Sequence, residues 1–388
     1  MSRIHFLPVK YGDSFVIECQ KGGRKGVVVV DGGPRGCGKV LKAKVEEVGT
    51  PDLMVLTHYD DDHIGGLSQY ITTCKKENRL PAREIWANCI KYAETEEEII
   101  VMEDAPMEFP VIREMDAPMQ DMPRMAPMPS PVQAVKFARL VEILPNKSDL
   151  TWRDDLTEGV AQQFPFADVE VVSPTEEWRK KAVGKQEIVA ANMEKKIIVM
   201  PKSVPMGEEV LREMPMMEIL EPLEDLALDC PNPPSEKVDA QVANAASIAI
   251  ILRCDDLSIL MLGDCYPHNV VDYLRRKGYS ENNPLKVDFV KVSHHGSQHN
   301  TSNELLDLVK CNHYIISTNG EKFGHPDREA IAHILCHPTR NREEKVHLYF
   351  NCDMETIREN SGQLLMRGEE EEYNFEIHEC VSVINPLS

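Results

Sequence analysis

A short apolar run, Asp52-Leu53-Met54-Val55-Leu56-Thr57, delivers the chain directly into His58-Tyr59-Asp60-Asp61-Asp62-His63-Ile64-Gly65-Gly66. His58, Asp60, Asp62 and His63 place four candidate ligands within six residues, just past a buried strand. A turn can aim alternate side chains at one centre, and the glycine pair lets the backbone bend tightly as a helix begins. Three neighbouring carboxylates repel one another unless a cation sits among them, and a divalent pair offsets that repulsion. The bland alternative is an acidic N-cap with two incidental histidines.

Three later fragments weigh against that alternative. Leu260-Met261-Leu262-Gly263-Asp264 is an apolar strand that ends in an acid. Val290-Lys291-Val292-Ser293-His294-His295-Gly296-Ser297 puts a histidine pair at the end of another strand, where packing offers no reason for it. Phe323-Gly324-His325-Pro326 follows a third strand, His313 to Ser317. Taken singly, each fragment reads as a turn or a solvated end. Together they indicate strand ends converging on a metal site.

The first run resembles the metallo-β-lactamase signature His-x-His-x-Asp-His, with Asp60 in place of the middle histidine. Its His-x-Asp-x-Asp-His-x-Gly-Gly form resembles the nuclease domain of competence DNA-uptake proteins of the ComEC type and their free-standing relatives. That resemblance implies an αββα sandwich, in the α/β (α+β) class, and two divalent ions, zinc or manganese. By the same resemblance His58 and Asp60 serve one ion, Asp62 and His63 the other, Asp264 bridges both, and His325 completes the second. Asp61 points away. No histidine lies between His63 and His268, so the first ion's remaining ligand is His294, His295, water, Asn244 or substrate. A carboxylate in place of an imidazole makes that site harder and tilts it toward manganese. Asn244 and Ser247 resemble an Asn-x-x-Ser element that fixes a loop or touches substrate. Ser297, His299 and His268 are further candidates for substrate contact, whereas Asp31-Gly32-Gly33 and Gly12-Asp13 are read as structural turns.

Two such ions about 3.5–4 Å apart lower the pKa of a bridging water toward neutrality, so no protein nucleophile is required. Asp62 is expected to orient that hydroxide, and His294 or His295 to donate a proton to the leaving oxygen or stabilise developing charge. The resemblance favours a phosphodiesterase or nuclease acting on nucleic acid or a nucleotide. A second reading is a hydrolase of small esters, amides or lactones. A third is a non-catalytic partner protein, which the retained ligand set opposes.

Composition bounds these readings. The formal charge is −21, from 43 Lys and Arg against 64 Asp and Glu. Such a balance opposes loose association with nucleic acid, since Lys and Arg supply most non-specific affinity, and no basic-aromatic surface is evident. Eleven cysteines occur without a C-x-x-C pair, a pattern of reduced thiols that points to a cytoplasmic protein. Neither a secretory signal nor a run of about 18 apolar residues is present, so a soluble chain with no membrane contact is expected.

Strand patterns fall in two blocks interleaved with helices, which suggests two mixed sheets with helices outside. The catalytic domain is placed at residues 1–100 and 236–388, with 101–235 as Met/Pro/Glu-rich insertions holding a core strand near 167–173. Proline-rich tracts at 102–132 and 200–234 are expected to be loops or extended segments, available to a protein partner or as a lid. Asn303 to Lys310 is expected to be helical. His5, His313, His333, His337, His347 and His378 are read as satisfied or exposed side chains.

Overall fold

The computed structural model describes residues 1–91, 130–194, 220–229 and 242–387. Most of the proline-rich tracts at 102–132 and 200–234 lies outside them; within the second, Leu223–Asp229 forms a short helix where a loop or extended segment was expected.

Two sheets stack face to face. The first is built from β1 (Arg3–Phe6), β2 (Phe15–Lys21), β3 (Arg24–Val30), β4 (Leu53–Val55), β5 (Glu84–Trp86) and β6 (Thr151–Arg153) in that spatial order, with a short strand at Val383–Ile384 outside β1. The second contains β7 (Ala161–Phe164), β8 (Ala167–Ser173), β9 (Ala249–Arg253), β10 (Ser258–Met261), β12 (Phe289–Lys291), β14 (His313–Ile316), β15 (Val346–Phe350) and β16 (Phe375–His378). The remaining pair, β11 (Leu285–Lys286) and β13 (Val309–Lys310), forms a small separate ladder.

The continuous valine run of β3 follows from this layering. Val28 and Val30 join Ile4, Phe6, Phe15 and Ile17 in the core between the sheets, while Val27 and Val29 pack outward against helices. A strand buried on both faces needs no polar alternation. The outward face of the first sheet is covered by α1 (Gly38–Val48), α2 (Asp61–Lys76) and α3 (Ser130–Glu142). Helices at Pro267–Arg276, Asn303–Leu308 and Arg328–Cys336 cover the second. This is the mixed αββα arrangement expected from the strand blocks.

Three further local outcomes differ from expectation. Pro131 does not exclude a helix, because it falls in the first turn of α3, where a missing N–H costs nothing. The helix beginning at Asn303 ends at Leu308, and Val309–Lys310 turn into a strand paired with Leu285–Lys286. A 19-residue helix, α4 (Glu176–Glu194), packs against α3. Its amphipathic signal is weak, and no pattern in the sequence announced it. Residues 130–194 thus supply β6 to one sheet and β7 and β8 to the other. Among the described residues no helix is long and apolar enough to cross a membrane.

Candidate metal centre

Each fragment singled out in the sequence sits where a strand stops at the same end of the two sheets. After β4 the chain passes through Thr57 and His58 and enters α2, whose N-cap is Asp60. The Asp60 carbonyl accepts from His63 N at 3.0 Å and Ile64 N at 2.9 Å, while its side chain makes no capping bond. The carboxylate Oδ2 lies 3.7 Å from His58 Nε2. Gly66 is required by close approach: a Cβ there would lie 1.9 Å from the Gly32 carbonyl oxygen.

After β10, Gly263 takes a left-handed conformation (φ 52°). The Asp264 N–H then donates to Ser247 Oγ at 3.1 Å, which ties the two loops together. After β12, His294 (φ 47°), His295 (φ 56°) and Gly296 (φ 88°) are left-handed in succession. Left-handed backbone is disfavoured for a residue with a Cβ, so this turn is strained and must be held from outside. His294 N donates to the Gly263 carbonyl at 3.0 Å, Ser293 Oγ donates to the Cys265 carbonyl at 2.7 Å, and Asn300 Oδ1 meets His294 Nδ1 at 3.2 Å.

Asp264 is the hub. Its carboxylate oxygens lie 3.7 Å from His58 Nε2, 3.4 Å from His63 Nε2, 3.8 Å from His294 Nε2 and 3.8 Å from His295 Nε2. His295 Nε2 also lies 3.4 Å from Asp62 Oδ2. These separations are too long for hydrogen bonds. They suit ligands sharing a cation, since two donors each about 2.1 Å from a tetrahedral ion stand roughly 3.4 Å apart. His58 Nε2, His63 Nε2, His295 Nε2 and Asp264 Oδ1 are buried and have no hydrogen-bond partner. Buried polar atoms are normally satisfied, so four orphaned atoms aimed at one point fit a metal centre. Three groups sharing His63 emerge, His58-His63-Asp264, Asp62-His63-His295 and Asp13-Asp31-His63.

The second nitrogen of each ring is held. His63 Nδ1 donates to Asp31 Oδ2 at 2.8 Å, and His295 Nδ1 donates to the Ser317 carbonyl at 2.8 Å. Thr57 fixes Asp31 in turn through its N–H (2.8 Å) and Oγ1 (2.7 Å). Such outer contacts set the tautomer that presents Nε2 to a cation.

Electrostatics agree. Asp13, Asp31, Asp62 and Asp264 are all buried, and the buried Lys291 bonds the Asp13 carboxylate and donates to the Gly263 carbonyl at 3.1 Å. Burial opposes ionisation of Asp13, yet Lys291, His295 and His63 together hold its carboxyl at about 2. Burial likewise disfavours a charged His295, but Asp264 and Asp13 push its pKa up to about 9. An excess of buried negative charge is what a divalent cation neutralises.

The remaining expected residues are placed as follows. His325 does not approach Asp264 within 4 Å among the described residues; its ring stands 5.2 Å from that of His294, with Nδ1 3.1 Å from Asp327 Oδ1. Asn244 and Ser297 are buried nearby in sequence to Ser247 and His295, and His299 is half-buried with no hydrogen-bond partner at Nδ1. Asp61 faces outward, its Oδ2 3.5 Å from Arg35 N. Sequence reasoning underrated Asp13 and Asp31, read there as turn residues, and passed over Lys291. Only the burial of their strands hinted that such polar side chains needed partners.

Residues 7–85 match the family model of the metallo-beta-lactamase superfamily. The match supports that superfamily. It covers β2 to β5 with the His58–His63 turn, and the second half of the centre, Asp264 and His295, is added by the fold. No curated protein matches the chain significantly. The metallo-β-lactamase arrangement and the His/Asp groups are compatible with a metal-dependent hydrolase.

Proposed function

We propose that the protein is a binuclear metal-dependent phosphodiesterase acting on nucleic acid or a nucleotide. The observation that carries this reading is the convergence of orphaned nitrogens from His58, His63 and His295 on the Asp264 carboxylate. His58, Asp60 and Asp264 would hold one ion, and Asp62, His63, His295 and Asp264 the other, with zinc or manganese as candidates. Bound there, divalent cations supply Lewis acidity and a water nucleophile near neutral pH. Asp62, held in the first turn of α2, would orient the water nucleophile as well as bind an ion. His294, partly exposed beside the buried cluster, has its pKa lowered by burial to about 4, so as a neutral imidazole it would stabilise charge developing on a leaving oxygen. His325, whose ring stands 5.2 Å from that of His294, remains a candidate further ligand.

A phosphodiester is favoured by a cleft that the net charge conceals. Arg35, Lys39, Lys42, Lys76, Lys136 and Arg139 line a groove of about 790 Å³ between α1, α2 and α3, and no acidic residue lines it. Gly65, two residues past His63, is among its lining residues. A local cationic surface attracts a polyanion whatever the overall balance.

The test is a substrate panel of single- and double-stranded nucleic acids, cyclic nucleotides and p-nitrophenyl esters. It is run with metal-stripped protein, with zinc- and manganese-reloaded protein, and with a folded Asp62→Ala variant. Phosphodiester cleavage that needs metal and falls to background in Asp62→Ala is expected. Undiminished turnover after stripping overturns the metal reading, and metal-dependent cleavage confined to esters overturns the phosphodiester reading.

A further inference from the structure

A second group of chemistry-bearing side chains lies at the other end of the second sheet, clear of the Asp264 cluster. Parallel pairing sets His313 beside His347, His347 beside Glu376, and Tyr349 beside His378, so all five share one face of β14, β15 and β16. His313 begins β14 and Ser317 follows its end, so at a strand rise of about 3.3 Å per residue the two sites stand roughly 13 Å apart along the strand. The face is the one turned toward the inter-sheet core: Phe289 packs at 5.4 Å from the His313 ring and 6.1 Å from Tyr349. At this edge the far side is open to water, and His347, Glu376 and His378 are half-buried.

The geometry points to a separate divalent-cation site formed by His347, Glu376 and His378, taking a borderline transition metal such as zinc. His347 Nδ1 lies 2.9 Å from His378 Nε2 and 3.8 Å from Glu376 Oε2. All three donors fall within 4.8 Å of one another. These distances bracket the spacing of roughly 3.4 Å between ligands of a tetrahedral ion. Two imidazoles and one carboxylate suit zinc, nickel or copper, and leave a position for water on the exposed side.

The surroundings hold the rings in place. His313 stacks on His347 at 4.6 Å with planes 3° apart, and Tyr349 stacks on His378 at 4.5 Å with planes 12° apart. His313 Nδ1 meets the Tyr349 hydroxyl at 3.0 Å, tying the two stacks together. Lys345, 3.5 Å from Glu376, is the competing cation that a metal would displace. The plain alternative is a stacked aromatic edge in which the two imidazoles share one proton, and metal binding separates the two cases.

The experiment is zinc loading of the full, metal-stripped chain, followed by gel filtration and metal analysis, for the parent and a His347→Gln/His378→Gln variant. The variant is expected to hold one equivalent fewer, with its hydrolytic turnover unchanged. Equal stoichiometry overturns the proposal. Should the double variant fail to fold, Glu376→Gln alone, whose carboxylate is half in solvent, is expected to weaken one class of cobalt(II) binding at least about tenfold in a visible-absorption titration. An unchanged titration in that variant also overturns it.

Discussion

His63 Nδ1 donates to Asp31 Oδ2 at 2.8 Å, joining the turn after β3 to the first turn of α2. The bond leaves His63 Nε2 directed at Asp264, 3.4 Å away. Asp31→Asn keeps a residue that tolerates the left-handed backbone found there (φ 58°) and removes the charge that fixes the ring. Metal affinity is expected to fall by about 10–100-fold in a chelator-competition titration, with the far-ultraviolet circular dichroism unchanged. An unaltered affinity would show that the His63 ring needs no such support.

Lys291 and Asp13 form a fully buried ion pair. Breaking such a pair strands a charge in a low-dielectric interior, at a cost of about 3–5 kcal/mol. Lys291→Met should lower urea-unfolding stability by that amount, and Asp13→Asn/Lys291→Met should recover a large part of it. If the double variant is as unstable as the single, the pair is not the source of the loss.

Gly66 packs its α-carbon against the backbone of Gly32. A methyl group there must push α2 away from the β3 turn, an overpacking that costs about 1–3 kcal/mol. Gly66→Ala is therefore predicted to be destabilised and to lose metal capacity with it, because the same turn carries Asp62 and His63. Gly36→Ala, where a Cβ meets nothing within 4 Å, tests the packing part of the cost: at its left-handed φ of 105° only backbone strain is incurred, and metal capacity should survive.

Burial lowers the Lys136 pKa to about 8, with Arg35 and Arg139 adding to the shift. The folded protein therefore gives up this proton near pH 8, and the unfolded chain only near pH 10.5. Between those values the unfolded state binds more protons, so stability rises with pH, and below pH 8 the charged amine is a penalty. Lys136→Met should be more stable than the parent at pH 7, with the gap closing by pH 10. Equal gaps at both pH values in chemical denaturation would refute the shift.

The site was legible in the sequence wherever its residues came as a local run. His58 to His63 and His294-His295 each carry several polar groups at one strand end, a density with no packing explanation, and Asp264 gained its meaning from standing with them. Asp13, Asp31 and Lys291 are single polar residues in or beside apolar strands, and a lone residue has no spacing to read. His325 is a different case: a turn matching a family pattern carried a ligand's role, and its ring stands 5.2 Å from that of His294. The two-sheet fold followed from periodicity, whereas α4 did not, because charged and apolar residues are scattered around its whole circumference.

The centre draws Asp62 and His63 from the first sheet and Asp264 and His295 from the second. A cation seated among them would act as a rivet between halves of the molecule separated by some two hundred residues of chain. Folding of either half alone would leave an incomplete ligand set, so the capacity to retain metal reports that both halves have docked. Chelation should then loosen the seam between the sheets before it unravels either one.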